Sequence, residues 1–299
     1  MRVLSVFAQN ESAGSWPPGH NGPVGSKSGL GLLLAMPSTL VVAAFALLPV
    51  GASLLISFTD WRGLGQPAWV GLANYWALLE DARFHRYLRQ TLVYAALAVP
   101  LGVVLPLAIA LALRNLAEPW SLIFRVVFYL PVVTGVVATA LLFQALIGLF
   151  PFNPLARPET VLPTLAAFSA WQGMGGAILL YLAGLARIPR ELYEAAALDG
   201  AGPWQSFRFV TLPQILPVVS LVLVLSTIAA IQVFEVVLFM TRGGPGDAST
   251  TVALYIYTNA FRYFRSGYAT ALAWVLALGL FLLILLQRRL ERRVYDAEV

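Results

Sequence analysis

Cysteine is absent from this chain of 299 residues, so it has neither a disulfide framework nor a thiolate metal site. Lysine occurs once, as Lys27 after Ser26, which excludes the Gly-Lys-Ser/Thr core of a phosphate-binding loop. The two histidines, His20 and His85, cannot form a His-Glu-x-x-His zinc site. Paired acids inside the apolar runs, which an intramembrane aspartyl protease needs, are also missing. We therefore predict that this chain is not an enzyme and binds no metal or cofactor of its own.

Charged residues are scarce, at 11% of the chain, whereas soluble domains carry about a quarter. Hydrophobic residues make up 59%, and the mean hydropathy is +0.79. This composition predicts an integral membrane protein in a lipid bilayer. The net charge of +5 does not indicate a nucleic-acid partner, because the arginines are scattered at the ends of apolar runs and form no patch.

Six long intervals contain no charged residue, and each is long enough for the ~20 residues that a helix needs to cross the hydrocarbon core. A charge at the centre of a spanning helix costs about 2.5–3.5 kcal/mol on insertion scales, so these intervals mark the crossings. We predict an all-α integral membrane protein with six transmembrane helices. The predicted spans lie near 30–57, 90–113, 124–149, 162–186, 216–240 and 267–287.

Six spans place both chain ends on one side of the membrane. Residues 1–28, rich in Gly, Pro and Ser, are predicted to be a flexible cytoplasmic tail, and 288–299 a cytoplasmic C-terminal tail, flanking a membrane domain at 29–287. In this orientation eleven lysines and arginines are cytoplasmic and eight are external. The four arginines between 288 and 293 favour it further. The connection at 187–215, between spans four and five, is then cytoplasmic.

The stretch EAAALDGAGPWQSFRFVTLP, residues 194–213, contains more structural signals than a simple connection needs. Pro189 and the acids after it predict a helix start, and the breaker cluster around Gly200 predicts a stop with a positive φ angle. Pro203 predicts a second short helix that ends at Leu212-Pro213. A short helix of mixed character suits a groove on a partner protein. A loop resting on lipid headgroups is the alternative, which its acids disfavour.

This stretch resembles the EAA signature of permease subunits in bacterial ABC importers. Val210 stands where that signature usually has isoleucine. The segments Val70–Tyr75 and Thr241–Gly246 resemble the carbohydrate-uptake branch, of maltose, trehalose and glycerol-phosphate type, and the resemblance covers about residues 30–287. It implies a type I ABC importer permease fold in the bacterial inner membrane. The matching signature residues are Glu194, Ala195, Ala196, Asp199, Gly200, Phe207, Leu212 and Pro213.

The resemblance also implies partners and a mechanism. Residues 187–215 are expected to be a coupling loop, seated through the signature residues in a groove of a cytoplasmic ATPase. The expected assembly adds a second homologous permease subunit, giving a heterodimer, two ATPase subunits and an external substrate-binding protein. ATP and Mg are expected to be bound by the ATPase subunits. The expected substrate is a sugar, moved by alternating access.

Polar groups inside apolar spans are the candidates for substrate contact. Glu235 interrupts the fifth span, and Gln232 lies three residues earlier, on the same face of the predicted helix. In the fourth span Trp171, Gln172 and Gly173 combine an aromatic ring, an amide and flexible backbone. Sugars stack on aromatic rings and form hydrogen bonds with amides and carboxylates. We therefore predict that these five residues bind substrate, and the resemblance to maltose-type permeases points to the same two spans.

Each of these predictions has an alternative. Glu235 could instead form an ion pair with Arg242, and Gln172 could form a hydrogen bond between helices. Glycerol phosphate is the rival substrate, disfavoured because no arginine lies deep in a span. A membrane scaffold that docks a cytoplasmic partner without transport is the alternative from another class, and a membrane enzyme is a more distant one.

Overall fold

A computed structural model describes residues 28–297. This part is helical almost throughout, and its extended pairing is confined to one antiparallel bridge between Thr59 and Trp69. The predicted tail at 1–28 lies, apart from Ser28, outside the described residues. The α-helices are α1 (Ser28–Val42), α2 (Leu48–Ser57), α3 (Ala73–Glu80), α4 (Ala82–Arg114), α5 (Trp120–Thr134), α6 (Val136–Ile147), α7 (Pro158–Ala186), α8 (Arg190–Leu198), α9 (Pro203–Ser206), α10 (Leu212–Ile231), α11 (Glu235–Met240), α12 (Val252–Tyr257) and α13 (Ser266–Ala297).

Three π-helical segments and one 3₁₀ turn complete the helical parts: Ala43–Leu47, Phe207–Thr211, Thr258–Arg262 and Pro154–Ala156. The chain divides into two compact units, one ending at Ala52 and the other beginning at Ser53. The first unit contains α1, the π-helical segment after it and the start of α2. The second unit contains every helix from α3 onward, and it contains all residues of the cavity and of the segment 187–215.

Five helical segments of the described chain are long and apolar enough to cross a membrane. They are Leu34–Ser57, Ala82–Arg114, Pro158–Ala186, Pro203–Ile231 and Ser266–Glu291. A sixth crossing is reached if α5 and α6 count as one broken span. The predicted all-helical membrane fold is therefore confirmed.

The predicted third span, 124–149, is not one continuous helix. Helices α5 and α6 meet at an angle of 100° around Gly135. Gly135 has φ +81° and ψ 146°, a backbone conformation that L side chains rarely adopt and that ends a helix. The sequence shows only a lone glycine within one interval that contains no charged residue. That interval therefore predicted a single span where the structure has two helices.

The predicted end of the short helix at Leu212-Pro213 is also wrong. The chain stays helical from Pro203 through the π-helical segment Phe207–Thr211 into α10. Pro213 lies in the first turn of α10, where a missing backbone N–H costs little. The helix therefore continues through this proline instead of stopping before it.

Helix α7 is the centre of the second unit, between α4 and α5. Its buried side chains include Phe168 and Tyr181, and the Tyr181 hydroxyl donates to Val103 O of α4 at 3.2 Å. Gly175 allows α7 to pack closely against α5, because a Cβ there would stand 2.5 Å from Phe128 O of α5. This contact sets the distance between two helices that line the cavity described below.

We expect Gly175→Ala to lower the thermal unfolding midpoint of the detergent-solubilised protein by several degrees. The added methyl group forces the α5 backbone outward, and overpacking of this kind costs about 1–3 kcal/mol. Gly176→Ala is the matched control, because a Cβ at Gly176 meets no atom within 4 Å. Equal destabilisation by both substitutions would contradict the close-packing explanation.

Asp81 joins α4 to the last part of the chain. Its carboxylate caps α4 through Arg83 N at 2.9 Å and accepts hydrogen bonds from the hydroxyls of Tyr255, at 2.6 Å, and Tyr268, at 2.7 Å. Burial favours a raised pKa, but the hydrogen bonds from Tyr255, Tyr268 and the backbone outweigh it and hold the pKa of Asp81 below its usual value. The ionised carboxylate thus fastens α12 and α13 to the start of α4.

Candidate functional site

A cavity of about 850 Å³ lies among α4, α5, α7 and α10. Its walls are mostly apolar, and a limited set of polar groups points into it. Such a volume suits a small organic solute. The polar side chains on the lining are those of Tyr94, Ser169, Gln172, Ser226, Gln232 and Glu235.

A break in the fifth predicted span forms one end of this cavity. Helix α10 ends at Ile231, and α11 begins at Glu235. Between them Gln232 has φ −94° and ψ 12°, and Phe234 has φ −135° and ψ −59°. The expectation that Gln232 and Glu235 share one helical face is therefore wrong. Both side chains nevertheless line the cavity, because the break turns each towards it.

The fourth-span residues divide between the cavity and the helix surface. Gln172 and Gly173 line the cavity, whereas Trp171 does not. The Trp171 ring packs on Phe168 with centroids 5.8 Å apart and is 41% exposed on another face of α7. At about 100° per residue, the lining residues of α7 between 169 and 177 cover one broad arc of the helix, and Trp171 lies on the side opposite the middle of that arc. The grouping of Trp171 with the other four residues is corrected accordingly.

The Gln172 side chain also reaches across to α5. Its Nε2 lies 3.5 Å from Pro131 O, at the long limit of a hydrogen bond. Pro131 belongs to the last turn of α5, where carbonyl groups lack helical partners because the helix ends at Thr134. The interhelical role considered for Gln172 and a place on the cavity wall are thus compatible.

Glu235 is the one ionisable side chain other than the Tyr94 phenol on the described cavity lining. The proposed ion pair with Arg242 does not form, since the one ion pair among the described side chains joins Arg125 and Glu118 at 3.9 Å. The carboxylate is exposed to the cavity instead. Within the described residues no group of three or more His, Asp and Glu could hold a metal ion.

Two hydroxyl groups line the cavity at positions that the sequence pattern does not indicate. The Tyr94 hydroxyl of α4 donates to Ser169 Oγ of α7 at 2.7 Å, and the Tyr94 ring is almost fully buried. A single tyrosine in an apolar run is not distinguishable from a core residue. Only the packing of α4 against α7 brings this pair to the cavity.

In the segment after α7, helix α8 forms as predicted and stops at the expected glycine. Asp199 caps α8, and Gly200 has φ +80°. The N–H of Ala201 donates to Ala196 O at 2.9 Å, and the N–H of Gly200 donates to Ala197 O at 3.1 Å. This pattern is the glycine-dependent helix stop that the sequence predicted.

The remaining signature residues are distributed along this segment. Glu194, Ala195, Asp199 and Gly200 are exposed, and Ala196 is half-buried. Phe207 is half-buried and contacts the Trp204 ring, with centroids 5.5 Å apart. Leu212 and Pro213 are half-buried in the first turn of α10. The exposed part is therefore the helix α8 and its turn, not the Leu-Pro end.

Tyr193 connects α8 to two long helices, and no feature of the sequence pattern distinguishes it from its neighbours. Its hydroxyl accepts a hydrogen bond from Arg114 Nη1 at 2.7 Å and lies 2.9 Å from Thr211 Oγ1. The Arg114 guanidinium also stacks over the Tyr193 ring at 4.7 Å. Arg114 is the last residue of α4, and Thr211 directly precedes α10. Tyr193 thus joins α8 to the ends of two helices that line the cavity.

Comparison with known proteins agrees with this architecture. Residues 83–296 match the family described as binding-protein-dependent transport system inner membrane component. The chain is 36% identical over 261 residues to the probable ABC transporter permease protein YesP of Bacillus subtilis, with 81% of this chain and 84% of that protein covered. It is 31% identical over 275 residues to the lactose transport system permease protein LacF of Rhizobium radiobacter, with coverages of 86% and 92%.

A solved structure supports the fold. The chain resembles a bacterial ABC transporter involved in the import of the acidic polysaccharide alginate, with a TM-score of 0.77 and 23% identity. The match covers 90% of this chain and 96% of that one. Taken with the matched residues 83–296, these likenesses establish that the chain belongs to the family of inner membrane components of binding-protein-dependent transport systems.

Proposed function

We propose that this chain is the permease subunit of an ATP-driven sugar importer and forms half of its translocation pathway. The observation that carries the proposal is that Gln172, Gln232 and Glu235 line one cavity. All three residues lie within the segment 83–296 that matches the transport family. Amide and carboxylate groups are the partners that sugar hydroxyls need, and apolar walls exclude competing water. The relative LacF is named for lactose, which is the same class of solute.

A neutral sugar suits the described cavity lining better than a phosphate ester. Its lining holds one carboxylate, Glu235, and no arginine or lysine. A phosphate group would leave two negative charges close together in a partly apolar space, which is unfavourable without a cation. Glycerol phosphate is therefore the weaker candidate, and a non-transporting scaffold would have no use for a polar cavity.

The coupling role belongs to α8 and its turn. The helix presents Leu192 and Ala195 beside the exposed acids Glu191 and Glu194, a mixture of apolar anchors and rim charges suited to a protein groove. The partner is an ATPase that binds ATP and Mg, and 187–215 with both chain ends lies on its cytoplasmic side. Through Tyr193, closure of the ATPase moves the ends of α4 and α10 and opens the cavity to the exterior.

The full importer needs components that this chain does not supply. A second permease of the same family closes the other side of the pathway, giving a heterodimer, and each permease docks one of two ATPase subunits. An external binding protein delivers the sugar to the outward-facing cavity. The bundles then return and release the sugar inside, which is alternating access powered by the partner's hydrolysis.

We expect liposomes containing this chain, a second permease and the ATPase to accumulate labelled neutral sugar when ATP is enclosed and the binding protein is added outside. Labelled lactose, maltose, trehalose and glycerol 3-phosphate are the probes. Uptake of a neutral sugar supports the proposal, and uptake of glycerol 3-phosphate alone supports the rival substrate. An intact assembly that transports none of these probes, or transports without ATP, contradicts the proposal.

A further inference from the structure

The turn between α11 and α12, residues 241–251, is held in one conformation by hydrogen bonds from its own serine and threonine hydroxyl groups. Gly243 has φ +89°, and a side chain there would collide with Thr250 Oγ1. The compact hydrogen bonding makes the turn able to hold a neighbouring element in place. Its internal hydrogen bonds join Ser249 Oγ to Gly244 O (2.6 Å), Ser249 N to Gly243 O (3.1 Å), Thr250 Oγ1 to Gly243 O (3.3 Å) and Thr241 Oγ1 to Ser249 Oγ (2.8 Å).

The turn is fastened to α4, which forms one wall of the cavity. The Gln90 side chain donates from Nε2 to Asp247 O at 3.0 Å. Thr91 Oγ1, which is fully buried, accepts from Val252 N at 3.0 Å. Because Tyr94 lies on the same helix within one turn of Thr91, the turn and the cavity wall share one rigid support.

Thr251 extends from this turn to the broken helix. Its side chain is fully buried, and Oγ1 donates to Val233 O at 2.9 Å. Val233 lies between Gln232 and Glu235 in the break at one end of the cavity. The far end of α11 is held separately, since Gln144 Nε2 of α6 donates to Met240 O at 2.9 Å.

The break requires such a support. When a helix ends, its last carbonyl groups lose their intrahelical donors, and an apolar bundle supplies no water to replace them. A carbonyl at Val233 without a donor would favour a different backbone path, such as continuation of α10. That path would rotate Gln232 relative to Glu235. The Thr251 hydroxyl gives the observed path its donor.

We propose that Thr251 is a positioning residue of the cavity, which holds the break at 232–234 so that the Gln232 side chain stays exposed on the cavity lining while the Val233 side chain stays buried in the core cluster. Gln232 is exposed to the cavity, whereas Val233 is buried. Thr251 maintains this difference in side-chain exposure between Gln232 and Val233. The effect of Thr251 on sugar affinity rests on the proposed function, whereas its effect on the exposure of these two side chains does not.

The absence of native cysteine allows a direct test with the full chain in membranes. Gln232→Cys and Val233→Cys are made separately, and their reaction rates with a small water-soluble methanethiosulfonate are compared. We expect the ratio of the two rates to be large in the otherwise native chain. Thr251→Val should reduce that ratio about tenfold, because one lost hydrogen bond to a buried carbonyl shifts a conformational balance by about that factor.

Two variants make the result specific. Thr251→Ser keeps the donor and should restore the ratio. Thr258→Val removes the same hydroxyl at the other end of α12, where it donates to Leu254 O at 2.8 Å, and should leave the ratio unchanged. An unchanged ratio in Thr251→Val, or an equal change in Thr258→Val, overturns the proposal.

Thr251 also caps α12 by accepting a hydrogen bond from Leu254 N at 3.4 Å. The experiment must therefore distinguish a general folding defect from a local change at the break. Thr251→Ala, which introduces no new group, is the second variant. If neither Thr251 variant accumulates in the membrane while Thr258→Val does, the hydroxyl supports folding as a whole and the positioning role is overturned. In a transporter with measurable uptake, Thr251→Val should raise KM about tenfold with little change in maximal rate.

Discussion

Gly200→Val is expected to lower sugar uptake about tenfold or more while leaving the protein in the membrane. Gly200 has φ +80°, and no atom lies within 4 Å of a Cβ built there, so the effect comes from the backbone and not from a clash. The left-handed conformation costs an L residue about 1–2 kcal/mol, and more for a β-branched one, which corresponds to at least about a tenfold loss of the correctly turned loop. Helix α8 then no longer continues correctly into the helix at Pro203.

The measurement compares uptake with ATP hydrolysis in the reconstituted transporter. We expect uptake to fall below a tenth or so of the native rate, while hydrolysis no longer responds to the loaded binding protein. Gly202→Val is the matched control in the same loop, because Gly202 has φ −73° and ψ 174°, an extended conformation that valine favours. Normal uptake in Gly200→Val, or equal impairment in the control, would show that the turn does not transmit the ATPase movement.

The double substitution Gln232→Ala and Glu235→Ala is expected to lower transport efficiency, kcat/KM for the sugar, about a hundredfold. Each side chain supplies one or more hydrogen bonds to sugar hydroxyls in a largely apolar cavity, and the loss of each lowers efficiency about tenfold. The break at 232–234 is built from backbone and from Thr251, so the alanines leave the cavity wall in place. Membrane insertion and binding of the ATPase should therefore remain unchanged.

Two further variants make this experiment specific. Gln66→Ala with Glu80→Ala removes an amide and a carboxylate that are exposed outside the cavity, and should leave kcat/KM unchanged. Glu235→Gln keeps the hydrogen-bonding shape and removes only the charge, so it should retain most transport of a neutral sugar. If the double alanine variant transports with native kinetics, the substrate binds elsewhere in the assembly.

Much of the fold follows from local rules, because a membrane crossing must satisfy its backbone hydrogen bonds within one segment. Counting charge-free intervals therefore located the long helices, including α4, α7 and α13. The stop of α8 at Gly200 was equally local, since only glycine adopts φ +80° easily. The bend at Gly135 carried the same kind of signal, a lone glycine, but its 100° angle depends on what packs around it.

The amino-acid sequence by itself thus determined the membrane class, the long helices and the turn at Gly200, since each depends on residues close together in the chain. Only the tertiary structure decided the shape of the cavity. Gln232, Val233 and Phe234 contain no helix breaker, and the break there is supported by Thr251, 18 residues later in the chain. Likewise Trp171 and Gln172 are neighbours in sequence, but the packing of α7 sends only Gln172 into the cavity. Contacts between distant segments choose among backbone paths that local preferences leave nearly equal in free energy.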